Sequence, residues 1–248
     1  MKTYIIIALL AVTSFAKAQT KEVRKIQQPN SISVSTGIHA VIVNSNRNEV
    51  VLEADNQKNI DKILTETKNG KLVIQIKPNS QIQNVKKLQI TVYTNPNMNS
   101  FEVQSNGSIE LSEAIKVGKV DIKVSSNGKM NAKSITTGQA EVHVSSNAKL
   151  DLLLNAENID LDVSSNAKAN ISGNTQSLVA NSTSNATVDL SNLKAKNVKA
   201  SASSNGTLQL NASQKLDANA SSNGRISYSG NPKTTNFDKS SNGRISAN

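Results

Sequence analysis

From Phe101 onward, apolar and polar residues alternate at a step of two, and the alternation is broken at regular intervals by Ser-Asn followed by Gly or Ala. The asparagines of these breaks are Asn106, Asn127, Asn147, Asn166, Asn185, Asn205, Asn223 and Asn242, spaced 21, 20, 19, 19, 20, 18 and 19 residues apart. Apolar residues stand three and five positions before the asparagine (Val124 and Ile122, Val144 and Val142, Val163 and Leu161). They recur three and five positions after it (Leu150 and Leu152, Val188 and Leu190, Leu208 and Leu210, Ile226 and Tyr228). A step of two marks a strand with one buried face. A fixed period near 20 marks a solenoid. Together they predict an all-β fold: a parallel β-helix of 19–20-residue coils, stacked at about 4.8 Å per coil.

Each break reads as a tight corner between strands. Asn tolerates the left-handed backbone region better than other residues with a Cβ, and Gly or Ala after it lets neighbouring backbones approach. Identical amides stacked at the coil spacing can hydrogen-bond in a ladder. The eight asparagines are therefore expected to form a structural column. They divide residues 104–248, the β-helix, from residues 19–103, an N-terminal β-rich part that caps it.

That N-terminal part shows longer apolar runs at Ile38–Val43, Val50–Ala54, Ile63–Thr67, Leu72–Ile76 and Leu88–Tyr93. Asn69-Gly70, set between two of them, predicts a two-residue hairpin turn. Ahead of all this, Met1-Lys2, an apolar run from Ile5 to Val12 and Ala16-Lys17-Ala18 have the layout of a cleaved signal peptide over residues 1–18. The apolar run is too short for a bilayer span, which needs about 20 residues. No other segment is apolar enough to span as a helix, so the mature chain is expected to be exported, to the periplasm, the outer surface or the medium.

Composition narrows the chemistry. Of 248 residues, 33 are Asn and 33 are Ser, types that favour turns over helix interiors, which argues against a helical or α/β enzyme core. With no Cys there is no disulfide framework and no thiolate metal site. His39 and His143 are the only imidazoles, and neither stands in a visible cluster; no metal site and no cofactor are expected. The net charge is +10, and removal of Lys2 and Lys17 leaves +8. The excess is spread rather than blocked, and aromatic residues are scarce, so nucleic acid is not an expected partner.

Two outer columns carry candidate chemistry. Asp121, Glu141 and Asp160 each stand six residues before their asparagine, so stacking would align three carboxylates, either as a solvated face or as a cation-binding or catalytic set. The near-constant coil length leaves no long loops to build cleft walls, which disfavours an enzyme. Two residues after the asparagines the chain reads Ser108, Lys129, Lys149, Lys168, Thr187, Thr207, Arg225 and Arg244. Lys129, Lys149, Lys168, Arg225 and Arg244 are the candidate ligand-binding residues, as a basic ridge for an anionic polymer.

Several segments resemble one family. Gly37-Ile38-His39-Ala40-Val41-Ile42-Val43, Leu52-Glu53-Ala54-Asp55-Asn56, Asn69-Gly70-Lys71-Leu72-Val73-Ile74, Ile90-Thr91-Val92-Tyr93 with Pro96, and Ser105-Asn106-Gly107-Ser108-Ile109 are similar, in order, to the bacterial putative auto-transporter adhesin, head GIN domain family. The resemblance spans about residues 31–230. It implies an exported β-helical protein of the bacterial envelope or surface, adhesin-like, without catalytic residues. The resulting expectation is a non-enzymatic binding protein whose partner is an acidic surface polysaccharide or a host or cell-surface glycan. The rival readings are a structural envelope β-helix without a dedicated ligand and a polysaccharide-processing enzyme.

Overall fold

Each Ser-Asn break is a turn with two consecutive left-handed residues. In the computed structural model, which describes residues 20–82, 87–95 and 97–248, Ser126 has φ 51° and Asn127 has φ 62°. Gly128 closes the turn by donating its N–H to Ser125 O at 2.8 Å, the hydrogen bond of a type I′ turn. All eight corners share this pair of positive φ values. The residues read as a signal peptide lie outside the described part.

The coils between corners are β9 (Ser108–Val124), β10 (Lys129–Val144), β11 (Lys149–Val163), β12 (Lys168–Ser182), β13 (Thr187–Ala202) and β14 (Thr207–Ala220). Each is one long bent strand, and each pairs in parallel register with the next. The last coils are β15 (Arg225–Ser229), β16 (Thr234–Lys239) and β17 (Arg244–Ala247). About seven turns of parallel solenoid cover residues 100–247. Unequal coil lengths are absorbed by register shifts, as between Ala132 and Ser134 in β10 and between Leu190 and Lys194 in β13. A bulge adds a residue to one coil without flipping the inward face downstream.

The inward face is the alternation seen in the sequence. Val124, Val144 and Val163 stack in one column, with Ile122, Val142 and Leu161 beside them, all buried. Each such side chain contributes about 1.5–3 kcal/mol on burial. Side chains in the second column shrink toward the C-terminus, through Ala180, Ala200 and Ala218, before it ends in Phe237. The Phe237 ring lies 5.5 Å from that of Tyr228, and the pair closes the last coil.

The N-terminal part is continuous with this stack. β2 (Ser31–Val34) and β3 (His39–Asn44) flank a ninth corner, at which Thr36 has φ 56° and Gly37 φ 74°. Gly37 N–H donates to Ser105 O at 3.0 Å, as Asn106 N–H does to Ser126 O in the next coil. β2 pairs with β8 (Ser100–Val103), and β3 with β9, in the solenoid's parallel register.

Between this first coil and the second the chain inserts β4 (Glu49–Ala54), α1 (Gln57–Ile60), β5 (Ile63–Lys68), β6 (Lys71–Ile76) and β7 (Leu88–Thr94). β4 lies antiparallel between β7 and β1 (Thr20–Lys25). β5 and β6 form the expected hairpin, with Asn69 at φ 51° and Gly70 at φ 75°. The single-turn α1 has no signal in the periodicity. It is held by Asn56, whose side chain accepts from Asn59 N–H at 3.0 Å, and by burial of Ile60.

Candidate functional site

Parallel register turns the sequence columns into surface rows. Lys129, Lys149 and Lys168 occupy successive partner positions, Ser108 precedes them, and Thr187, Thr207, Arg225 and Arg244 follow. All five cations are exposed. The row is extended at its N-terminal end by His39, opposite Ser108, whose Oγ lies 3.0 Å from His39 Nδ1.

Acids stand two residues further along the same face, at Glu110, Asp151 and Asp189. Their contacts run to side chains other than the five cations. Asp151 accepts from Asn170 Nδ2 at 3.2 Å, Asp189 accepts from Ser191 N–H and Oγ at 3.0 and 2.6 Å, and Glu110 lies 3.9 Å from His39 Nε2. None of the five cations of the row forms an ion pair among the described residues.

The asparagines beside this row are exposed, and their side chains bond to one another at one step, from Asn205 Nδ2 to Asn185 Oδ1 at 3.2 Å. The continuous ladder runs instead through the backbone. Asn127 N–H donates to Ser146 O, Asn147 N–H to Ser165 O and Asn166 N–H to Ser184 O, at 2.9–3.0 Å. Left-handed φ turns the amide side chain outward, so what the column needs from Asn is its backbone conformation.

The acidic column is also in register, with Glu141 between Asp121 and Asp160. Cations occupy it. Lys123 Nζ lies 2.8 Å from Asp121, and Lys119 Nζ lies 3.5 Å from Glu141. His143, which stands in no cluster in the sequence, sits half-buried between Glu141 at 3.2 Å and Asp162 at 3.5 Å. The hydrogen bond from His143 holds the Glu141 carboxyl below the usual range, with Lys119 adding to it. Asp121 in turn holds Lys123 protonated above the usual lysine range. Among the described residues no group of three or more His, Asp or Glu side chains is placed to hold a metal ion.

A groove of about 980 Å³ crosses β9 to β14 on another corner of the coil, 8 to 12 residues after each asparagine. Lys116, Lys194 and Lys196 border it. Their distance from the repeated asparagine changes with each bulge, so no fixed spacing in the sequence aligns them.

The match to known proteins is to the family model described as putative auto-transporter adhesin, head GIN domain, over residues 28–232. The chain belongs to that family. Among solved structures, the GIN-domain chain is similar to a putative adhesin from Parabacteroides distasonis, with TM-score 0.85 and 18% identity over 93% of this chain and 97% of that one. It is also similar to a putative adhesin from Bacteroides fragilis, with TM-score 0.69 and 19% identity over 94% and 98%. A third, named a putative lipid binding protein from Parabacteroides distasonis, gives TM-score 0.81 and 17% identity over 93% and 96%. At these identities the likeness is one of fold. No curated protein matches the chain. The family and the first two structures carry adhesin names and not enzyme names, and no helix among the described residues is long and apolar enough to cross a membrane.

Proposed function

We propose that this GIN-domain protein is an exported, non-enzymatic adhesin of the bacterial envelope that holds an anionic glycan along the row Lys129, Lys149, Lys168, Arg225 and Arg244. The observation that carries the reading is the register. Three lysines stand one coil apart, exposed and without ion-pair partners, and the nearest acids, Glu110, Asp151 and Asp189, pair with none of the five cations. At about 4.8 Å, neighbouring like charges repel by about 0.9 kcal/mol even in bulk water, so the row contributes nothing to folding. A polyanion laid along it relieves that repulsion. The attraction is short-ranged and falls as salt rises.

The test is retention on an immobilised acidic polysaccharide at low salt. The parent is expected to be retained and to elute as salt rises, and the variant with all five residues replaced by Ser is expected to elute at clearly lower salt with its urea midpoint unchanged. Equal retention of the two would reduce the row to ordinary surface.

A further inference from the structure

We infer that the groove across β9 to β14 is a second binding site, built for a linear acidic oligosaccharide about four sugars long. It rests on the glycan-binding reading but uses a different face of the solenoid.

The groove's long axis follows one outward column, in which Lys116, Thr136, Asn155, Asn174 and Lys194 are successive register partners. Four steps separate the two lysines, about 19 Å at the coil spacing. Lys196 stands beside Lys194 at the same end. All three lysines are exposed and make no ion pair or side-chain hydrogen bond among the described residues, and Glu157 is the only acid that borders the groove. The site therefore carries unmatched positive charge at both ends.

Between the ends the floor is neutral and small. Thr137, Ala156 and Thr175 fill the inward positions. Thr137 Oγ1 lies 3.0 Å from the carbonyls of Gly118 and Gln139, and Thr175 Oγ1 lies 3.1 Å from those of Glu157 and Ser177. Their hydroxyls are thus committed to the backbone. Asn174 Nδ2 donates to Asn155 Oδ1 at 2.9 Å, which leaves the Asn155 amide group and the Asn174 carbonyl to face a ligand.

Those features select a class. No aromatic side chain lines the groove, so bases have nothing to stack on. An acyl chain would strip water from the Asn155 and Asn174 amides without replacing it. Sugar hydroxyls satisfy such amides, ring C–H groups lie on the small floor, and carboxylates or sulfates meet the lysines. The coil spacing is also comparable to the advance of one ring along an extended glycan, so one sugar spans each of the four steps between Lys116 and Lys194.

Calorimetric titration with tetragalacturonate at low salt tests the inference. The parent is expected to bind, and Lys116→Gln, Lys194→Gln, Lys196→Gln combined is expected to weaken binding at least tenfold with an unchanged urea midpoint. As a control for net charge, Lys58→Gln, Lys68→Gln, Lys233→Gln combined, three exposed lysines outside both the groove and the row, is expected to bind the tetrasaccharide like the parent. No binding by the parent, or equal binding by the groove variant, would overturn the inference. The row stands or falls separately, by polymer retention of its own variant.

Discussion

Lys239 stands in parallel register with Ala220, at the end of an inward column that runs from Val124 through Val144, Val163, Ser182 and Ala202. Ala220 is fully buried and Lys239 is exposed, because beyond β14 no further strand pairs with β16 among the described residues. An inward-pointing charge on an open edge opposes the addition of another chain. Lys239→Val is expected to cause end-to-end association, visible as a concentration-dependent rise in mass by light scattering. A variant whose mass matches the parent's at every concentration would show that the charge guards nothing.

At Asn166 the backbone explanation and the amide-ladder explanation part company. Its φ is 61° and its N–H donates to Ser184 O, while its side chain is exposed. Asn166→Leu is expected to cost about 1–2 kcal/mol, the strain of a bulky residue in the left-handed region. Asn166→Gly, which removes the amide but relaxes the conformation, is expected to cost less than about 1 kcal/mol. Equal losses in urea melts would restore the amide ladder.

The residue after each asparagine is Gly in some coils and Ala in others, and the two are not interchangeable. A Cβ built at Gly224 would lie 2.1 Å from Ala202 O, a backbone atom that cannot step aside. Ala167, in the same place in its own coil, is accommodated with its methyl buried. Gly224→Ala is expected to cost about 1–3 kcal/mol by overpacking, and the looser Gly128, 2.8 Å from its nearest carbonyls, is expected to tolerate Ala better. Thermal melts of the two variants should separate accordingly.

Acid should loosen the N-terminal insertion. Glu49 is buried, with Lys25 Nζ at 2.7 Å and Arg47 Nη1 at 2.9 Å. The Lys25 hydrogen bond, followed by the charges of Lys25 and Arg47, holds its carboxyl below the usual 4.5 against the opposing effect of burial. A lowered folded pKa gives stability that is complete above the unfolded value and is lost as pH falls through the folded one. Unfolding followed from pH 6 to about pH 2 is expected to show this loss below about 4.5, and Glu49→Gln is expected to flatten it.

The solenoid was legible in the sequence because it repeats. One Ser-Asn-Gly is an ordinary turn, but eight at one period, with valines and leucines alternating on both sides, leave a stacked parallel sheet as the structure that buries all of them. The hairpin at Asn69-Gly70 was equally legible, since two consecutive positive φ values demand that pair. The same demand hid the ninth corner. Thr36-Gly37 meets it without the Ser-Asn signature and lies 69 residues ahead of Asn106, across the inserted strands.

The row Lys129, Lys149, Lys168 could be aligned by counting from each asparagine, because no bulge falls in the two residues between them. Farther round the coil, counting fails. Bulges move Lys116, Asn155 and Lys194 to 10, 8 and 9 residues from their asparagines, and backbone pairing alone brings them into one column. Local composition determined the corners and the inward face, since φ preference and hydrophobic burial act residue by residue. Which outer side chains share a groove was decided by tertiary register, because that depends on where each coil spends its extra residue.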